Sequence, residues 1–208
     1  MVRGMARVEF FYDYSSPWTY LAFTRIEELC RGRGAELEWR PILVGGIFNT
    51  VNPSVYESRE RPVPAKARYM AKDLKDWADY YGLTIRFPPS VFPVNSVKSL
   101  RGALVALEHG AISRYSRAVF AAYWGGDRDI SRDEVLASIV SEVGLDRAEF
   151  FDKIQQSSYK DRIRANTDEC MRRGGFGSPT LFVGDAMFFG NDRLVLVENE
   201  LDKQDSGE

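Results

Sequence analysis

The sequence predicts an α/β fold interrupted by a large, all-helical insertion. Three observations predict it. Runs rich in β-branched and aromatic residues fall only near the two ends, at 8–12 and 36–44 and again at 177–183 and 187–189. Between residues 45 and 178 no strand-like run occurs, while apolar residues recur there at three- and four-residue steps, the helical period. The ends read β-α-β and then β-β-α, two halves of one small sheet with a helix on each.

Each element has a local reason. Residues 8–12, VEFFY, are bounded by Asp13 and two serines and read as a strand buried on both faces. Pro17 suits the first turn of a helix, where its missing N–H is not needed. Leu21, Ile26, Leu29 and Cys30 then form a stripe that Gly32 and Gly34 stop. Residues 36–40 alternate and 41–44 continue apolar, giving a second strand. The segment 45–64 carries Asn49, Asn52, Pro53, Pro62 and Pro64 and reads as a loop. Tyr69, Met70, Leu74, Trp77, Ala78 and Tyr81 mark a helix from Ala65 that Gly82 ends, and Phe87-Pro88-Pro89 and Phe92-Pro93 break the chain again. Asn95 or Ser96 caps a helix through Leu107. Further helices are expected near 112–124, 131–143, 146–156 and 159–173, the second of these opened by a Ser131/Glu134 capping box. Residues 177–183 return to strand, Asp185 turns, 187–189 form a partner, and Asn191-Asp192 cap a last helix over 194–201. The polar tail 202–208 is expected to fray. This is the element order of a thioredoxin-like fold. It predicts a discontinuous domain, 1–45 with 175–208, around an insertion at 46–174.

Composition narrows the function. With 28 basic and 30 acidic residues the formal charge is −2, and no basic stripe points to nucleic acid. No apolar run is long enough to span a membrane. The N-terminal stretch MVRGMARVEFFYDYSS lacks the apolar segment of a signal peptide, so a soluble cytoplasmic protein is expected. Two cysteines, Cys30 and Cys170, make neither a disulfide framework nor a metal spacing, and read as small hydrophobes. A single histidine, His109, leaves no His-rich metal site and no Ser-His-Asp triad. His109 itself suits a helix C-terminus.

The chemistry concentrates at Ser16-Pro17-Trp18-Thr19, between strand and helix, where redox proteins of this order carry Cys-X-X-Cys. A helix N-terminus favours negative charge and would activate a cysteine there. A serine stays protonated, and no general base is evident beside it. The same helix end can instead stabilise a thiolate brought from outside, with Ser16 Oγ donating to the sulfur; glutathione is the obvious such thiol. Read locally, Ser15 or Ser16 serves equally as an N-cap. Ser178-Pro179 opens a strand and is a candidate cis peptide. A cis bond would turn the N–H and C=O of residue 178 outward to an extended peptide; the plain alternative is a trans proline at a strand start. Asn191-Asp192 either cap a helix or hold the charged end of a γ-glutamyl group.

The stretch Phe11-Tyr12-Asp13-Tyr14-Ser15-Ser16-Pro17-Trp18-Thr19-Tyr20-Leu21-Ala22 resembles the N-terminal motif of the kappa-class glutathione transferases and their bacterial relatives, the 2-hydroxychromene-2-carboxylate isomerases. Arg40-Pro41-Ile42-Leu43, residues 66–74, 175–180 and 189–194 fit the same pattern, in order over nearly the whole chain. The resemblance implies a DsbA-like thioredoxin fold with a helical insertion, a homodimer, glutathione as cofactor and a small aromatic-derived substrate. It puts the catalytic serine on Ser16. It puts glutathione contacts on Lys66, on Asn52 or a neighbouring asparagine, on Ser178 at the Pro179 turn, and on Asn191 and Asp192. Relatives often carry a larger aliphatic residue at the position of Ser178, a change that a contact through backbone atoms tolerates. Trp77, Tyr81 and Trp124 are candidates for an aromatic pocket wall or for the core. The implied activity is a glutathione-dependent cis-trans isomerisation in aromatic-compound breakdown. The alternatives are a glutathione transferase or peroxidase with the same site, a DsbA-type oxidoreductase, against which the serine turn argues, and a silent thiol-binding module.

Overall fold

A computed structural model describes residues 5–206. Its sheet has four strands, β1 (Arg7–Tyr12), β2 (Glu36–Pro41), β3 (Thr180–Val183) and β4 (Ala186–Phe189), in the order β2-β1-β3-β4. β1 and β2 are parallel, joined through α1 (Pro17–Gly32), as a β-α-β reading requires. β3 pairs antiparallel with β1, Val8 opposite Val183, and β4 pairs antiparallel with β3. Among the described residues no strand lies between β2 and β3. That stretch holds α2 (Val44–Thr50), α3 (Ser54–Glu60), α4 (Pro64–Tyr81), α5 (Val97–Glu108), α6 (Ile112–Phe120), α7 (Asp133–Glu142), α8 (Arg147–Lys153) and α9 (Ser157–Arg172). α6 runs on into a single π-type turn, Ala121–Gly125. After β4 a 3₁₀ turn, Asn191–Arg193, leads into α10 (Leu194–Ser206). This is the DsbA-like thioredoxin fold.

β1 is buried on both faces because helices cover both. Val8, Phe10 and Tyr12 point into the larger core, which α1 and the helices α5 to α9 complete. Phe10 stacks on Tyr12 at 5.4 Å and both meet Trp39 of β2 edge-on. Phe11, one residue out of phase, faces a smaller cluster of Ile42, Ile47, Cys170 and Phe182 beneath α2 and α9. Glu9 shares that second face, where Arg40 (3.2 Å) and Arg173 (2.6 Å) neutralise it. A buried carboxylate is tolerable only with such partners. The larger core is continuous from the sheet into the insertion: Tyr14 packs on Phe120 at 4.9 Å, and its hydroxyl lies 2.8 Å from Ser116 Oγ.

The structure departs from the sequence reading in four places. The expected loop at 45–64 contains α2 and α3; α2 buries only Val44 and Ile47, and α3 buries nothing, so neither leaves a helical apolar stripe. Val44 opens α2 rather than closing β2. Ser131 does not cap α7. Its amide and hydroxyl both donate to Asp129 Oδ1, and Glu134 pairs with Arg132, so the helix opens two residues later. The tail does not fray within the described residues: α10 continues to Ser206, and Arg33 holds it through Glu198 (2.7 Å) and Asp202 (2.6 Å). Gly82 ends α4 as expected, in the left-handed region at φ 67°.

Candidate active site

β1 ends at Tyr12, and the chain turns through Asp13, Tyr14 and Ser15 into α1. Ser16 is the N-cap: its backbone is extended and its Oγ accepts the Thr19 N–H at 3.2 Å. The local reading of a capping serine therefore holds, but it does not exhaust the residue. The Ser16 hydroxyl donates its one proton across to the carbonyl of Ser178, 2.9 Å away. Pro17 has no N–H, and the Trp18 amide finds no protein acceptor among the described residues. The helix N-terminus thus presents a hydroxyl and a free N–H, where the helix dipole favours an anion.

Ser178–Pro179 is cis. The Ser178 side chain is buried; its Oγ accepts the Asp13 N–H at 2.9 Å and lies 2.7 Å from Thr19 Oγ1. Ser178 thereby ties the start of β3 to the end of β1 and to the first turn of α1. Its carbonyl is engaged by Ser16, whereas its N–H has no protein partner among the described residues. Asp13, fully buried, accepts the Ser15 N–H on Oδ1 and the Val44 N–H on Oδ2, each at 2.9 Å. Burial pushes its carboxyl above the usual range, while those bonds pull the other way. One carboxylate so fixes the starts of both α1 and α2.

These groups line one end of a groove of about 1550 Å³. Asn52 and Lys66 line it too. Asn52 Nδ2 donates to the Phe176 carbonyl (3.0 Å) and its Oδ1 accepts from Ser54 (2.7 Å). Lys66, in the first turn of α4, has no ion-pair partner among the described residues. Asn191 and Asp192 do not line this groove. They sit in the 3₁₀ turn two residues past Phe189, which does; Asn191 is 3% exposed with its Nδ2 unpartnered, and Asp192 pairs with Arg193. Pro179 also stands back from the groove, holding Gly190 through its carbonyl (3.1 Å).

None of Trp77, Tyr81 and Trp124 lines the groove, and for Trp124 the core reading holds. Trp124 is core, its Nε1 donating to the Tyr14 carbonyl (2.9 Å), and Trp77 and Tyr81 pack against each other on α4 away from the groove. The aromatic residues that line the groove are Trp18, Phe48, Tyr56, Phe87, Phe92, Phe176 and Phe189. Phe87 and Phe92 carried a signal, since each precedes a proline that fixes the loop, but the prolines read only as breaks. Asp13 and Thr19 were also missed; a charged residue closing a two-sided buried strand was the available sign. His109 ends α5 and meets Glu149 at 3.0 Å on the surface. Both cysteines are buried and unpaired, and desolvation pushes their thiols up, to about 12 for Cys30 and about 11 for Cys170. Among the described residues no group of three or more His, Cys, Asp or Glu could hold a metal, and no helix is long and apolar enough to cross a membrane.

A serine-capped thioredoxin turn facing a prolyl loop across an open groove defines a class, and comparison with known proteins agrees. Residues 7–202 match the DsbA-like thioredoxin domain family. A 2-hydroxychromene-2-carboxylate isomerase of Pseudomonas putida is 32% identical, with 93% of each chain covered. Glutathione S-transferase kappa 1 of Homo sapiens is 30% identical over 93% of this chain and 90% of its own. The solved structure of a 2-hydroxychromene-2-carboxylate isomerase superposes with a TM-score of 0.81 at 28% identity, covering 97% of this chain and 98% of that one. The chain belongs to the DsbA-like thioredoxin family, in the group of the 2-hydroxychromene-2-carboxylate isomerases and kappa-class glutathione transferases.

Proposed function

We propose that the protein is a glutathione-dependent isomerase acting on a small aromatic-derived compound, of the 2-hydroxychromene-2-carboxylate isomerase type. The observation that carries the reading is the serine-capped helix end: a site built for a thiolate that has no thiol of its own. Three features fit a peptide thiol. The α1 N-terminus offers the Ser16 hydroxyl and the Trp18 N–H. The Ser178 N–H is unpartnered beside them, in a segment that can pair with an extended guest. Lys66, without an ion-pair partner among the described residues, lines the same groove and suits a terminal carboxylate, and Asn52 lines it too. Asn191 and Asp192 stand outside the groove, two residues past Phe189, and their assignment to the γ-glutamyl end rests on the family resemblance.

Bound glutathione would supply a nucleophilic sulfur for reversible addition to the substrate, the chemistry that a cis-trans isomerisation would use. The chain's own residues do the rest. Ser16 turns its proton from the Ser178 carbonyl to the sulfur. That frees the carbonyl to accept a peptide N–H, so the exchange costs no hydrogen bond. The helix end lowers the energy of the sulfur anion without moving a proton. The aromatic wall orients a flat substrate over the Ser16 end. The reading also takes the protein to be a cytoplasmic homodimer serving aromatic-compound catabolism, which rests on the family resemblance.

Ser16→Ala tests the reading. Removing one preorganised donor of this kind costs about 10²–10³-fold in kcat, and the loss should appear in glutathione-dependent turnover of 2-hydroxychromene-2-carboxylate with glutathione binding retained. Wild-type turnover that persists with all small-molecule thiol removed would sink it. A second reading, a glutathione transferase toward another electrophile, has support in the human kappa enzyme, almost as similar as the isomerases. Conjugation of 1-chloro-2,4-dinitrobenzene without any isomerisation would favour it.

A further inference from the structure

Two cations at the groove, Arg59 and Arg61, are left without a task by this reading, and of the two it is Arg59 that rests against aromatic rings. Arg59 of α3 lines the groove, and its guanidinium sits 5.6 Å from the Phe48 ring centroid and 5.5 Å from that of Phe92. Phe48 belongs to α2 and Phe92 to the loop before α5, so the guanidinium bridges two walls of the groove. Glu57 and Glu60 line the same groove, yet Arg59 pairs with no carboxylate among the described residues. The remaining charges at the groove are Arg61 and Lys66 on the rim and Asp13, sunk at the Ser16 end with its oxygens already bonded to backbone. α3 buries no residue of its own, so the aromatic contacts of Arg59 are what the fold gains from this side chain.

A guanidinium resting against ring faces keeps its N–H fork for an acceptor, and a fork matches a carboxylate in a way an ammonium does not. The rings that hold it are also the rings a flat apolar ligand would meet. We propose that Arg59 is the specificity determinant for an anionic aromatic substrate. The aromatic body lies along Phe48 and Phe92, and its carboxylate takes the Arg59 fork. This rests on the groove being the substrate site, and it assigns Arg59 separately from Lys66, whose proposed partner is the thiol cofactor.

The test is equilibrium binding, followed by fluorescence, of coumarin-3-carboxylate and of its uncharged carboxamide in the presence of glutathione. Wild type, Arg59→Gln and Arg61→Gln are compared, with circular dichroism to verify the fold. Wild type should prefer the carboxylate by about two- to five-fold, the scale of one partly exposed ion pair. Arg59→Gln should bring the ratio to about one, and Arg61→Gln should leave it unchanged. Equal binding of the two probes by wild type, a preference that survives Arg59→Gln, or one that is lost only in Arg61→Gln would each overturn the proposal. Calorimetry with glutathione alone is read beside it: no binding there would defeat the cofactor reading while the probe ratio still decides Arg59.

Discussion

Ser178→Ala isolates the clasp between the sheet and the active turn. The Ser178 hydroxyl is the partner of two buried groups, the Asp13 N–H at 2.9 Å and Thr19 Oγ1 at 2.7 Å. Removing it leaves a fully buried amide with no acceptor, a cost of about 1–3 kcal/mol, and deletes a hydroxyl pair worth about 1 kcal/mol. Together these destabilise the protein by about 2–4 kcal/mol, which for a chain of this length lowers Tm on the order of 10 °C. Thr19→Val keeps the volume and leaves Asp13 its acceptor, so it should cost only about 1 kcal/mol, or about 2–4 °C. The double variant should be close to Ser178→Ala alone, because the second change then removes a hydroxyl that has already lost its partner. The assay is thermal melting by circular dichroism of all four proteins. A fall of less than about 2 °C for Ser178→Ala, or Thr19→Val costing as much, would refute the reasoning.

Two further outcomes are expected. Desolvation raises both cysteine thiols, so native protein at pH 7.5 should react slowly with a disulfide reagent and release two thiols only on unfolding. The Cys30→Ala/Cys170→Ala variant should keep its glutathione-dependent rate, and losing it would mean that an internal thiol takes part. Burial raises the Asp13 carboxyl. Its contribution to stability is therefore complete below the unfolded-state value and declines as pH rises through the folded one. Wild type should lose stability relative to Asp13→Asn as pH rises from 3.5 to 7 in thermal melts, and a relative gain over that window would contradict the assignment.

What the sequence determined by itself was whatever local pattern controls. Residues 8–12 are apolar in both phases, which only a strand covered on two faces explains, and Phe10 and Phe11 do enter different cores. Pro17 beside Ser16 fixed the start of α1, and Gly82 the end of α4. The cis peptide at Ser178–Pro179 followed from the element order and not from the dipeptide. Tertiary structure decided everything that needed a partner far along the chain. α3 buries no side chain and left no periodic trace, yet it brings Arg59 to the groove. Ser131 had the chemistry of a cap, and Asp129 took its donors first. The Ser16 proton lies on a carbonyl 162 positions away. That bond, and the burial of Asp13 beside it, arise because the sheet brings the end of β1 beside the start of β3, a juxtaposition that no spacing along the sequence encodes.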